Sequence, residues 1–196
     1  MTETAGSISI NSPDETFDER CAHQGRPLPG IEVRIVDPET GHSLPPNQRG
    51  EIIVRGPFVF DGYDQPESGE TGLDENGWFR TGDLGAINDE GGLSFLGRLK
   101  DMLKVGGENV AAIEVESFLS THPAVSIAQV VGVPDEKYVE VVAAFLELRP
   151  GAAATEQEII DFCAGQIARY KIPKYVRFVT EWPMSSTKIQ KFKLRD

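Results

Sequence analysis

VSIAQVVGV, residues 125–133, is a dense run of β-branched and small apolar residues, and it reads as a buried strand. Pro134-Asp135 punctuates it, and VEVVAAFLEL, residues 139–148, supplies a second strand of the same kind. Upstream, residues 111–120 place Ile113, Val115, Phe118 and Leu119 at helical spacing and stop before His122-Pro123. Downstream, Thr155-Glu156-Gln157-Glu158 has the pattern of a capping box and predicts a helix over 156–168. Residues 175–179 add a third strand. Two helices and three strands give a small α+β domain of about 100 residues, an ordinary domain size.

The chain before it is built differently. Residues 31–36 and 51–55 alternate apolar and polar with period two, and 93–96 is a short strand after the Asp89-Glu90-Gly91-Gly92 turn. Pro27-Leu28-Pro29-Gly30, Pro45-Pro46 and Gly56-Pro57 punctuate this part, and a polar turn over 74–77 precedes Trp78-Phe79, expected to be packing residues. No helix is predicted here; the expectation is a mostly β structure, a small barrel. Neither part carries an internal repeat or a low-complexity segment.

Charge divides the chain at the same place. Residues 1–97 hold six arginines, no lysine and 18 acidic residues, a net charge of −12; residues 98–196 hold 13 basic and 13 acidic residues, a net of zero. We therefore read 1–97 and 98–196 as two units. The overall charge of −12 argues against a nucleic-acid partner. The last 28 residues reverse the balance, with eight basic side chains against Glu181 and Asp196. Such an end suits a phosphate-bearing small ligand, or is simply a solvated tail.

Of 196 residues, 39% are hydrophobic and 26% charged, which is ordinary for a globular protein with a core. Two cysteines, Cys21 and Cys163, exclude a disulfide scaffold. No apolar run approaches the roughly 20 residues of a membrane-spanning helix. No charged-then-apolar leader is visible, so a cytoplasmic, reducing setting is expected. His23, His42 and His122 are read as structural, and no cluster has the spacing of a transition-metal site.

Four stretches carry chemistry. Thr81-Gly82-Asp83, following Gly77-Trp78-Phe79-Arg80, offers a carboxylate at a glycine-loosened turn, able to accept two hydrogen bonds from a vicinal diol, although such turns are common. Gly97-Arg98-Leu99-Lys100-Asp101 sits at the charge boundary and reads as a hinge or a solvated linker. Lys104-Val105-Gly106-Gly107-Glu108-Asn109-Val110 has two adjacent glycines that let a ligand approach backbone closely, or that merely turn the chain into the next helix. Ser185-Ser186-Thr187-Lys188-Ile189-Gln190-Lys191 places small hydroxyl residues before a lysine, suiting a loop that delivers a cation to developing negative charge.

In this order and spacing the four stretches, with HPAV and VVGVPD between them, resemble the adenylate-forming superfamily: acyl-CoA synthetases, luciferases and peptide-synthetase adenylation domains. GWFRTGD, GRLKD, KVGGENV and SSTKIQKFKLR look like successive core motifs of that family, and the resemblance covers essentially the whole chain. It implies that 1–97 is the end of a large adenylation domain whose phosphate loop and acyl pocket lie upstream. It likewise implies that 98–196 is the small mobile C-terminal domain. Such enzymes activate a carboxylic acid with ATP and Mg²⁺ to an acyl-adenylate, then transfer the acyl group to coenzyme A. The chain alone is then not expected to be active.

The resemblance assigns roles residue by residue. Met1-Thr2-Glu3-Thr4 looks like the family's GMTE motif, which puts Thr2 beside the adenylate phosphate and makes Glu3 a Mg²⁺ ligand. Asp83 matches the ribose-binding aspartate, Arg98 a nucleotide-contacting arginine, and Lys100 the hinge about which the domain rotates between half-reactions. Lys104 and the loop Gly106, Gly107 and Glu108 match the face presented to the pantetheine arm of CoA. Lys188 matches the catalytic lysine of adenylation. Thr187 stands where the family commonly has glycine, and Lys191 is a nearby alternative, but Lys188 keeps the register with the following KLR. The KVGGENV and GRLKD stretches favour an acid–CoA ligase, with a fatty or medium-chain acid implied. The alternatives are a non-catalytic adenylate- or CoA-binding module, or a domain loading a carrier protein.

Overall fold

A computed structural model of the chain describes residues 1–64 and 72–195. The chain divides into two compact units, Met1–Leu99 and Lys100–Asp196.

The first unit begins with a 3₁₀ turn, Thr2–Thr4, followed by β1 (Ser9–Ile10), α1 (Phe17–Ala22) and β2 (Arg26–Pro27), with β1 and β2 paired antiparallel. Then β3 (Glu32–Val36), β4 (Gly50–Arg55), β5 (Phe79–Ile87) and β6 (Leu93–Arg98) form an antiparallel meander in chain order. Among the described residues β3 and β6 do not pair, so the sheet is open and not the small barrel expected from sequence. Four strands are too few to close around a core of side chains. The strand alternation puts Ile35, Ile52, Val54, Phe79 and Leu93 together in one cluster, and Val36, Ile53 and Trp78 in another. The Arg34 and Arg55 guanidinium groups lie 4.3 and 4.7 Å from the Trp78 ring centroid, so both aromatic residues of the Trp78-Phe79 pair are packing residues. The short helix α1 is a correction to the sequence reading. It carries a complete Thr16/Glu19 capping box but buries none of its residues, so it has no apolar period to detect. Cys21 lies on it, exposed.

The second unit has β7 (Met102–Val105), β8 (Glu108–Ala111), α2 (Ala112–Leu119), β9 (Val125–Asp135), β10 (Val139–Leu148), α3 (Glu156–Cys163) and β11 (Tyr175–Phe178). It is the α+β domain that the apolar patterns imply. The three expected strands are β9, β10 and β11, and the β7–β8 hairpin adds two more to make a five-stranded sheet. At its centre β10 pairs antiparallel with β9, parallel with β11, and with β7 through Val139 and Val105. One core cluster gathers Leu103, Val110, Val115, Leu119, Val130, Leu146 and Ile159. Residues of the opposite parity, Val131, Ala143 and Phe145, pack with Val179, Trp182 and Leu194. A fully buried leucine such as Leu146 contributes about 1.5–3 kcal/mol.

Two boundaries differ from expectation. The strand β9 does not break at Pro134 but runs through to Asp135; among the described residues it pairs only with β10, and an edge strand tolerates the missing N–H. The helix α3 stops at Cys163 instead of 168, because Gly165 takes a left-handed φ of +75° just beyond it. Cys163 is in the core, and burial pushes its thiol pKa up to about 11. In the turn between β9 and β10 the Asp135 carboxylate accepts the Lys137 and Tyr138 N–H groups (2.9 and 3.1 Å), and Val139 follows with φ +68°. Among the described residues no helix is long and apolar enough to cross a membrane.

Candidate functional site

In the first unit the Thr81-Gly82-Asp83 stretch is not a turn but a bulge inside β5. Glu51 pairs with Leu84 and Ile53 with Arg80, so three residues of β5 oppose Ile52 alone. Gly82 takes φ +69°, a conformation that favours glycine, and this re-aims the following residue. The bulge is held from both ends: Thr81 Oγ1 donates to the Ile52 carbonyl (2.7 Å) and accepts the Asp83 N–H (3.0 Å), and Glu51 Oε1 accepts the Gly82 N–H (3.1 Å).

Asp83 is then directly opposite Arg98 across β5 and β6. Arg98 Nε lies 3.2 Å from Asp83 Oδ1, yet that oxygen is buried with no hydrogen bond of good geometry among the described residues. Burial raises the Asp83 pKa above the ordinary carboxylate range, opposed in part by Arg98. A pocket of about 380 Å³ opens beside it, lined by Thr4, Gly6, Ile52, Thr81, Asp83 and Phe95. The Thr2–Thr4 turn borders this pocket, with Thr2 exposed and Glu3 half-buried. Glu3 accepts the Tyr63 hydroxyl at 3.1 Å, and its own backbone N–H followed by that hydroxyl hold its carboxyl below the usual range.

The donors fit magnesium of one kind only. Among the described residues no group of three or more His, Cys, Asp or Glu is placed to hold a metal ion, so an ion at Glu3 would need ligands beyond these side chains. Mg²⁺ is commonly held by one or two carboxylates together with phosphate oxygens and water, and one carboxylate suits that mode.

In the second unit Lys104, Gly106, Gly107 and Glu108 form the tip of the β7–β8 hairpin, with Lys104 opposite Asn109 and Val105 opposite Glu108. Gly106 and Gly107 have φ of +60° and +91°, the two positive values a type I′ hairpin turn needs. The Lys104 N–H is accepted by Glu140 Oε2 (2.9 Å) and the Gly106 N–H by the Tyr138 carbonyl (2.8 Å). Gly132 makes room for this, since a Cβ there would meet the Glu140 carboxyl at 2.9 Å. Lys100 belongs to the 3₁₀ turn Leu99–Asp101 and is exposed. Lys188 is exposed in the turn of a short hairpin, where Ser185 N–H donates to the Lys188 carbonyl (2.8 Å) and Met184 bridges Ile189.

Sequence reasoning missed Glu51 and Tyr63. Glu51 is buried, accepts two hydrogen bonds from the Arg80 guanidinium, and anchors the Gly82 bulge. Its signal was an acid just before Ile52-Ile53-Val54 in β4, and its partner is the arginine of GWFRTGD.

Comparison with known proteins places this geometry. The AMP-binding enzyme family model matches residues 1–64, and the AMP-binding enzyme C-terminal domain model matches 114–188. The human mitochondrial medium-chain acyl-CoA ligase ACSF2 is 41% identical over 197 residues, which is all of this chain and 32% of that protein. The o-succinylbenzoate CoA synthetase MenE of Bacillus subtilis, solved with the acyl-adenylate intermediate OSB-AMP, superposes with TM-score 0.91 at 38% identity; solved with ATP and a magnesium ion it gives 0.89 at 37%. ATP-bound MatB from Rhodopseudomonas palustris gives TM-score 0.88 at 39% identity. These matches cover 100% of this chain and 40% of MenE or 39% of MatB. The chain thus spans about a third of the length of the curated relatives it matches. Two family models in the expected order, and relatives about 40% identical over the whole of this chain, establish that it belongs to the AMP-binding enzyme family of adenylate-forming proteins.

Proposed function

We propose that this chain supplies the later nucleotide contacts and the small domain of an acid–CoA ligase. In this reading the ligase forms an acyl-adenylate and pyrophosphate from ATP and a carboxylic acid, then transfers the acyl group to CoA. The observation that carries the reading is the buried Asp83 oxygen beside an open pocket: it is an acceptor short of a good donor, and a ribose hydroxyl would supply one. Arg98, its cross-strand partner, would contact the same nucleotide. Thr2 would lie beside the adenylate phosphate. Glu3, oriented by Tyr63, would hold Mg²⁺, which when bound neutralises phosphate charge.

Lys188 would serve adenylation by reaching carboxylate and phosphate oxygens with a flexible point charge. Lys104 and the Gly106-Gly107-Glu108 tip would face the pantetheine arm in the second step, and Lys100 would be the hinge of the domain rotation between the two. The medium-chain activity in the human relative's name supports a fatty or medium-chain acid, and with it a place in fatty acid metabolism. A cytoplasmic setting is part of this proposal, although the name of that relative places it in mitochondria.

The test is a chimera in which this chain replaces the matched 32% of human ACSF2. It should convert ATP, a medium-chain acid and CoA to acyl-CoA, while the 196-residue chain alone gives no ATP–pyrophosphate exchange. In the chimera Lys188→Ala should lower pyrophosphate exchange by roughly 10²–10³-fold, the usual cost of removing a preorganised charge donor, and spare thioester formation from supplied acyl-adenylate. Lys104→Ala should do the reverse. Equal loss in both assays would refute the division of labour, and exchange by the chain alone would refute the assignment of its ATP contacts.

A further inference from the structure

We propose that Glu116 is a positioning residue for Lys188, acting through Lys191; this rests on the adenylation role proposed above. Glu116 sits in the middle of α2 with its side chain 13% exposed. One oxygen, Oε1, takes two donors: the Val130 N–H at 2.7 Å and the Lys191 ammonium at 2.5 Å. Val130 lies in β9, and its N–H finds this carboxylate instead of a neighbouring strand. The carboxylate therefore satisfies a backbone donor on the unpaired side of the sheet and tethers the end of the chain to it.

What it tethers is the loop that carries Lys188. The leading arm of that loop is fixed by Trp182, whose Nε1 donates to Glu147 Oε2 on β10 at 2.6 Å and whose ring packs with Val131, Ala143 and Phe145. The turn closes through Gln190 N–H to the Pro183 carbonyl (2.7 Å), Ser185 N–H to the Lys188 carbonyl (2.8 Å) and Lys188 N–H to Ser185 Oγ (3.3 Å). The trailing arm leads into the 3₁₀ turn Lys191–Leu194, held at its start by Glu116 and at its end by Leu194 on the Val131 cluster. Lys191 is one helical-turn length from Lys188 in sequence, so its anchor fixes the backbone from which the Lys188 side chain reaches. Its side chain is only 25% exposed and its ammonium is engaged, while Lys188 is exposed. The two lysines therefore divide the work: one is clamped so that the other is aimed. Aim matters, because a displacement of about 1 Å at a reacting group can cost about 10²-fold in rate.

Two measurements decide the proposal. The first uses the 196-residue chain and needs no activity. In Lys191→Gln, which leaves Glu116 on the Val130 N–H, the amides of Ser185, Lys188 and Gln190 should exchange with deuterium at least about tenfold faster, while β10 amides keep their protection. Unchanged exchange at those three amides would overturn the clamp. The second uses the ACSF2 chimera. Lys191→Gln and Glu116→Gln should each lower kcat for pyrophosphate exchange about tenfold or more and leave thioester formation from supplied acyl-adenylate unchanged, whereas Lys191→Arg, which keeps an ion pair with Glu116, should rescue the activity that glutamine at 191 loses. Equal loss in both half-reactions, or no rescue by arginine, would reduce Glu116 to a stability residue and overturn the proposal. An inactive parent chimera would instead refute the functional reading, and amide exchange would still decide the clamp.

Discussion

Val139 offers a test of backbone strain whose magnitude follows from three observations. Its φ is +68°, a left-handed conformation that is an outlier for a β-branched residue and costs about 1–3 kcal/mol where it persists. Its side chain is 70% exposed, so replacing it with glycine gives up only a fraction of the roughly 1.5–3 kcal/mol that full burial of a valine is worth. Glycine loses more conformational freedom on folding, a penalty of about 0.5–1 kcal/mol. Taking central values, Val139→Gly should stabilise the second unit by about 0.5–1 kcal/mol. With about 4–8 °C per kcal/mol for a domain of this size, the midpoint should rise by about 2–8 °C. In a Trp78→Phe background Trp182 fluorescence reports this unit alone, so urea and thermal midpoints can be read without interference from the first unit. Val139→Asn, a residue that tolerates left-handed backbone, should recover part of the gain. Val139→Pro, whose ring fixes a negative φ, should be strongly destabilising. A glycine variant no more stable than the parent, with the proline variant tolerated, would refute the claim that this corner is strained.

Asp83→Asn tests burial of the carboxylate. A raised acid pKa means the folded state holds the proton more tightly than the unfolded chain, so charge on Asp83 destabilises the first unit as pH rises through and above its raised pKa. The difference in urea midpoint between wild type and Asp83→Asn, followed by Trp78 fluorescence in a Trp182→Phe background, should therefore shift in favour of the asparagine variant as pH rises from 3 towards neutrality, about the range where carboxylates titrate; a difference independent of pH would refute it. Glu51→Ala leaves the half-buried Gly82 N–H without its acceptor and should cost about 1 kcal/mol by the same assay, the low end for an unmade bond, with Glu51→Gln costing less because the bond to Gly82 survives. The Arg80 pair adds little to that sum, since Arg80 is half exposed. Thr155→Ala removes the acceptor of the Glu158 N–H at the start of α3 and should lower the stability of the second unit by about 1 kcal/mol, read from Trp182 fluorescence.

How far the sequence could be read depended on how local each signal was. The strands β9 and β10 were legible because β-branched residues crowd them, and α3 because its capping box precedes an apolar period. The β7–β8 hairpin is carried by one local signal, Gly106-Gly107, and that signal is shared by a ligand-facing loop and by a turn into a helix, so the pairing of Lys104 with Asn109 is not legible from it. The bulge at Gly82 leans on Glu51, 31 residues away in sequence, and the Asp83–Arg98 register joins positions in different strands, so nothing in either stretch alone announces the pairing. Motif order named both residues; only the sheet explains why they are neighbours. Glu116 and Glu51 were invisible for the same reason, since each acts on a backbone N–H of a different element.

The two cysteines carry a practical consequence. Thiolate, not thiol, reacts with electrophiles, and Cys163 is buried on α3 with its pKa pushed up to about 11, whereas Cys21 is exposed on α1. The natural sequence is therefore already a one-site labelling substrate. A maleimide dye at neutral pH will tag the first unit and spare the second, and any disulfide-linked dimer formed in air will pass through Cys21. A second dye attached to an introduced cysteine in the second unit would turn the chain into a molecular ruler between its two halves, with no native thiol to remove first.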